Sequence, residues 1–141
     1  MSSELPMSRG CLICGRHNPI GFRIRFERAG EGVRATARAG LEFQGFGGII
    51  HGGIVTAFLD DTMWYAVYAA TGVITLTAVI QVRYRRPVHA GDDLVMHGEM
   101  TGKRHGLYTA VSRLCDLAGN VYAEAQGRFL KAPPEAAGEL W

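Results

Sequence analysis

The chain has 141 residues, 48% hydrophobic and 20% charged, with a formal net charge of +2. That length suits one domain with a proper core, and the composition is that of an ordinary globular protein. So small a charge does not point to nucleic acid, and the apolar stretches are interrupted well before the ~20 residues of a membrane span.

The opening run, Met1-Ser2-Ser3-Glu4-Leu5-Pro6, has no basic region followed by an apolar one. No secretory signal is expected, and the protein is read as cytoplasmic. Residues 1–18 read as an irregular N-terminal segment that ends in the Asn18-Pro19 turn signal. Cys11, Cys14 and Cys115 are an odd set, which argues against a disulfide framework. Cys11-Leu12-Ile13-Cys14 has zinc-knuckle spacing, and His17 offers a third ligand, but nothing obvious supplies a fourth. The following Gly15-Arg16-His17-Asn18-Pro19 reads as a turn rather than the helix start of a redox pair. A structural role without metal is the expectation, with metal and redox chemistry as the alternatives.

A domain is expected over residues 19–131. Phe22, Ile24 and Phe26 alternate with Arg23, Arg25 and Glu27, so Gly21 to Arg28 reads as a half-buried strand. Gly30-Glu31-Gly32 makes a turn into a second strand, on which Val33, Ala35 and Ala37 alternate with Arg34, Thr36 and Arg38. Residues 40–53 are Gly-rich but match neither a dinucleotide fingerprint nor a P-loop. From Ile54 to Ala70 there is no Gly or Pro, so a helix is expected that ends at Gly72. It is apolar on nearly every face and should be buried, yet it carries Asp60 and Asp61 in its middle. Four more strands follow: Leu76 to Arg85 before Pro87, Leu94 to Met100, Gly106 to Asp116, and Asn120 to Lys131. Residues 132–141 read as an unstructured tail. One buried helix served by about six strands implies an α+β arrangement, with a curved antiparallel sheet wrapped around the helix.

Three features carry chemistry. Gly52 and Gly53 at the helix start leave unpaired N–H groups at the positive end of the helix dipole, suited to an oxyanion. His51 either shapes that glycine loop through a ring hydrogen bond or acts as a general acid. Asp60 sits among apolar residues, where a carboxylate is a base, a nucleophile or a structural cap. Asp61 points about 100° away around the helix, so the two cannot act as a pair on one substrate, and Asp61 reads as structural.

The string Gly48-Ile49-Ile50-His51-Gly52-Gly53, with Asp60 beyond it, resembles the hotdog thioesterases of the phenylacetate-degradation type. The resemblance runs from Cys11 to Lys131 and includes the Cys-x-x-Cys-Gly…Asn-Pro-x-Gly lead-in, Tyr84-Arg85-Arg86-Pro87, Gly91-Asp92 and the Asp116…Gly119-Asn120-Val121-Tyr122-Ala123 hairpin. It implies a hotdog fold and hydrolysis of an acyl-coenzyme A thioester without metal or other cofactor. It also implies that Gly52 offers its N–H to the thioester carbonyl, that Asp60 is the catalytic carboxylate, and that Thr77 lies beside the water. Where relatives carry an Asn six residues before the His, this chain has Gly45 with Gln44 next to it. Gln44 and Gly53 are therefore substrate-binding candidates, and Arg85, Arg86, Lys103 and Arg104 are candidates for the phosphates of coenzyme A.

A homo-oligomer is expected, a dimer or a dimer of dimers. Gly52 and Asp60 stand about 12 Å apart along one helix, too far to serve one thioester within a single chain. A hotdog hydratase or dehydratase and a non-catalytic acyl-CoA-binding protein are the rival readings.

Overall fold

The computed structural model describes residues 3–137. A first hairpin is formed by β1 (Glu27–Ala29) and β2 (Gly32–Ala37), and a second, small one by β3 (Gln44–Phe46) and β4 (Ile49–Ile50). The long helix α1 (Gly52–Thr71) follows, then β5 (Thr75–Tyr84), β6 (Leu94–Arg104), β7 (Leu107–Cys115), β8 (Val121–Lys131) and the single turn α2 (Pro134–Ala137). Six strands form one antiparallel sheet in the order β1-β2-β6-β7-β8-β5. It holds α1 against its face through β2, β5, β6, β7 and β8. This is the expected α+β hotdog arrangement, with β5 at one edge and β1 at the other.

Local chemistry explains the elements. His105 at φ 51 and Gly106 at φ 77 close the β6–β7 hairpin with the left-handed turn that matches strand twist. Gly72, at φ 72, ends α1 by donating its N–H to the Tyr68 carbonyl at 2.7 Å. Phe58, Leu59, Met63 and Val67 of α1 are fully buried, each contributing about 1.5–3 kcal/mol by leaving water. The helix presses close on the sheet: a Cβ at Gly98 of β6 would lie 2.7 Å from Thr62 Cγ2 and 2.8 Å from Thr62 O. The buried Ser112 hydroxyl of β7 donates to the Leu59 carbonyl at 2.9 Å, which pins the turn that carries Asp60.

Several expectations are corrected. The strand read at residues 21–28 shrinks to β1, because Arg23 takes a φ of 56 and breaks the extended run. Ile24 and Phe26 are nonetheless buried. Their segment pairs with the N-terminal lead-in instead: Phe22 N–H donates to Leu12 O at 2.9 Å and Ile24 N–H to Ile13 O at 2.8 Å. The lead-in is irregular in backbone but adds Leu5, Ile13 and Cys14 to the core. Within the Gly-rich stretch, Gly47 at φ 58 and Gly48 at φ 79 form the tip of the β3–β4 hairpin. The helix starts at Gly52, two residues before the expected Ile54. The tail read as unstructured is tied down by Ala132 N–H on Ile74 O at 2.8 Å, after which Pro134 opens α2, a position whose fixed φ suits a helix start. Residues 138–141 lie outside the described residues. No helix among the described residues is long and apolar enough to cross a membrane.

Candidate active site

His51 is the N-cap of α1, and its ring Nδ1 accepts the Gly53 N–H at 2.8 Å. Its own N–H donates to Phe43 O at 2.9 Å, which seats it on the glycine-rich loop. Gly53 N–H is thereby occupied. Gly52 is exposed, and its N–H stands ahead of the intrahelical ladder with no acceptor among the described residues. Tyr84, the last residue of β5, donates its hydroxyl to the Gly52 carbonyl at 2.8 Å and meets Thr56 Oγ1 at 2.5 Å. Tyr84 thus clamps the first turn of the helix, a role not read from the sequence. Its only signal there was its place at the head of Tyr84-Arg85-Arg86-Pro87.

Gln44 does not reach out of this loop with its oxygen: Oε1 accepts the Gly48 N–H at 2.9 Å and braces the hairpin. At Gly45 a Cβ would lie 3.6 Å from His51 Cα, so a larger side chain there would rest against the N-cap.

Asp60 lies eight residues beyond Gly52 and is half-buried. Thr77 Oγ1, exposed on β5, donates to Asp60 Oδ1 at 2.7 Å. Burial raises the carboxyl above the usual carboxylate range, and the Thr77 bond opposes that rise. The structure therefore brings the candidates together in two groups, Gln44-His51-Gly52-Gly53 and Asp60-Thr77. About 12 Å of helix separates them.

The cations also divide. Arg85 pairs with Glu124. Arg86 pairs with Asp116 at 2.6 Å, donates to Asn120 O at 3.1 Å and lies 3.9 Å over the Tyr122 ring. Lys103 lies 5.3 Å over the Tyr108 ring, and Arg104 is exposed. Strand register carries Arg104 opposite Leu107, Leu107 opposite Leu130 and Leu130 opposite Leu76, at the start of β5. Lys103 and Arg104 thus stand at the Asp60 end of the sheet, and Arg85 and Arg86 at the Gly52 end. Within one chain they do not converge.

Asp61 leaves the helix about 100° away. Both its carboxylate oxygens lie near Cys11 Sγ, at 4.0 and 3.9 Å. Ile13 and Cys14 N–H each donate to that sulfur at 3.3 Å. Hydrogen bonding from the Cys14 thiol, aided by those N–H groups, draws Cys11 down to about 6. The same bond and burial push Cys14 up, and burial holds the Asp61 carboxyl well above its usual range. Cys11, Cys14 and Asp61 are the group among the described residues whose ligand atoms converge, all within 4.8 Å of one another. His17, the third ligand considered from spacing, is not part of it.

Residues 47–109 match the sequence model of the thioesterase superfamily, a segment that contains His51, Gly52, Asp60, Thr77 and Tyr84. No curated protein matches the sequence. Among solved structures the chain is similar to a thioesterase-superfamily protein, with a TM-score of 0.79 and 24% identity over 87% of this chain and 61% of that one. It is also similar to the E. coli PaaI protein from the phenylacetic acid degradation operon, with a TM-score of 0.72 and 15% identity over 79% of this chain and 81% of that one. A hypothetical thioesterase protein with coenzyme A from Streptococcus pneumoniae TIGR4 has a TM-score of 0.69 and 17% identity, over 77% of this chain and 85% of that one. The chain spans 61% of the length of the first of these. At such identities the likeness is one of fold.

Proposed function

With a hotdog fold and a thioesterase-superfamily segment at residues 47–109 as premises, we propose that this chain is an acyl-CoA thioesterase that hydrolyses its substrate to free acid and coenzyme A. The observation that carries this reading is the Asp60–Thr77 pair at 2.7 Å, set on the same buried helix as the unoccupied Gly52 N–H. In the reaction Asp60 takes a proton from water as the water attacks the thioester carbonyl, or attacks that carbon itself to form an anhydride that water then hydrolyses to the free acid. Gly52 N–H, at the positive end of the helix dipole, holds the oxygen as it gains charge, and collapse expels the thiolate. One such donor is worth about 2.7–4 kcal/mol of barrier. Neither route calls for a metal or an organic cofactor.

The separation of Gly52 from Asp60 makes the active unit a homodimer. β5 is a ten-residue strand at the sheet edge, with Leu76 and Val79 each 53% exposed. Two copies of β5 paired antiparallel about a two-fold axis set Gly52 of one protomer beside Asp60 of its partner. The same operation brings Arg85 and Arg86 of one chain toward Lys103 and Arg104 of the other, where the phosphates of coenzyme A need cations. A coenzyme A complex of a structurally similar protein supports that ligand class. Three free cysteines suit a reducing compartment, and we place the reaction in the cytoplasm.

Thiol release measured over short, long and aromatic acyl-CoAs tests the proposal. At least one class should be hydrolysed by the wild type and not by Asp60→Asn. Addition of water to an enoyl-CoA without thiol release would instead make this a hydratase. Acyl-CoA binding with no turnover would make it a binding protein.

A further inference from the structure

The Cys-x-x-Cys-Gly segment has no part in the hydrolysis, yet it is tightly built. Gly15 N–H donates to Cys11 O at 2.9 Å, while Ile13 and Cys14 N–H both point at Cys11 Sγ. A Cβ at Gly15 would lie 2.5 Å from Arg9 O and 2.6 Å from Cys11 N, so only glycine closes this turn. The turn gathers the two sulfurs, and α1 brings Asp61 to them from fifty positions away in sequence.

Tetrahedral zinc takes thiolate at ~2.3 Å and carboxylate at ~2.0–2.2 Å, which places ligand atoms roughly 3.5–3.8 Å apart. Cys11 Sγ and the Asp61 oxygens are 3.9–4.0 Å apart, and all three ligand atoms lie within 4.8 Å. Closing on an ion asks only for small rotations. A second observation points the same way. Cys11, Cys14, Asp61 and Thr75 line a cavity of about 220 Å³. Thr75 is only 2% exposed, and its Oγ1 has no hydrogen-bond partner among the described residues. An ion held by three protein ligands keeps a fourth position for water, and a lining hydroxyl without a partner suits such a water.

We propose that Cys11, Cys14 and Asp61 bind a divalent ion of the zinc class, which fastens the N-terminal lead-in to α1 about 100° around the helix from Asp60. Two thiolates select zinc or cobalt over magnesium and calcium. This site stands independently of the thioesterase reading.

The test uses the purified full chain, stripped with a chelator and titrated with zinc alone. Wild type should take up one zinc per chain, gain melting temperature and lose the reactivity of Cys11 and Cys14 toward a thiol reagent. Cobalt in its place should show a sulfur-to-metal charge-transfer band. Cys11→Ser and Asp61→Asn should bind zinc at least about tenfold more weakly, and Cys115→Ser should bind it as wild type does. Wild-type protein that takes up no zinc, or thiols that react equally fast with and without it, would overturn the proposal. So would unchanged zinc affinity in Cys11→Ser, or a Cys11–Cys14 disulfide that excludes the ion.

Discussion

Asp60 and Asp61 share one side-chain chemistry and one turn of α1, yet a rotation of about 100° gives them different surroundings. Asp60 faces β5, where Thr77 meets it from an exposed position on an unpaired sheet edge. Asp61 faces the lead-in, where Cys11 and Cys14 cover it. One carboxylate is lodged beside the open edge of the sheet, where the proposed dimer would add a second chain. The other, equally half-buried, lies against the chain's own N-terminal segment. On one helix, the direction a side chain leaves the axis decides its work, and identity alone does not.

The largest expected effect divides the two faces. Asp60→Asn should lower kcat by about 10²–10⁴-fold, the range of a lost acid–base group, with the fold intact by circular dichroism. Asp61→Asn should keep kcat within about tenfold of wild type. Equal rates for the two variants would erase the distinction. The claim that β5 is an open edge is sharpened by complementation. Gly52→Pro removes the N–H at the first helical position, where proline is tolerated, and should be inactive alone. Mixed one to one with Asp60→Asn under subunit exchange, it should recover about a quarter of wild-type activity, since random pairing of a two-fold dimer makes half the dimers mixed, each with one intact site. No recovery despite proven exchange would mean that each chain carries its own complete site.

Smaller effects lie further from the reacting groups. Tyr84→Phe frees the Gly52 carbonyl and should lower kcat/KM roughly fivefold, about 1 kcal/mol for one hydrogen bond. A change confined to melting temperature would make Tyr84 a strut alone. The smallest effect belongs to Asp116, remote from both faces of α1. N–H bonds from Asn120 hold its carboxyl near 2, below the ordinary 3.8. A depressed carboxylate adds stability above its unfolded-state value and loses it as pH falls through the folded one. Asp116→Asn should therefore melt slightly below wild type at pH 7, with the difference gone by about pH 2 in paired melting curves.

The helix and five of the six sheet strands were legible because periodic burial writes itself into local sequence. The Gly/Pro-free run marked α1, and alternation marked β2 and β5 to β8. Alternation at Phe22, Ile24 and Phe26 reported burial correctly but could not name the covering partner, which was the lead-in rather than a strand. The β3–β4 hairpin stayed hidden because its strands, of three and two residues, are too short to show alternation. At the site, His51, Gly52, Asp60 and Thr77 stood out through pattern and resemblance. Tyr84 did not, because its contact is with a backbone carbonyl on another element. The meeting of Cys11 with Asp61 spans fifty positions, and no local pattern encodes it.

The two rims of the sheet are unlike. β1 has three residues, and the lead-in runs along it: Glu4 bridges Glu27, and Arg28 N–H donates to Ser3 O at 2.8 Å. β5 offers ten residues with no strand beyond them among the described residues. In the vocabulary of polymerisation the subunit is monofunctional, with one reactive end and one end already terminated. An exposed edge is a template for adding strands without limit, but with only one edge open, addition by the proposed pairing would stop after a single step. A second copy joined at β5 presents only terminated ends outward. In the proposed dimer, growth along the sheet would close at a pair, because the short lead-in already covers β1.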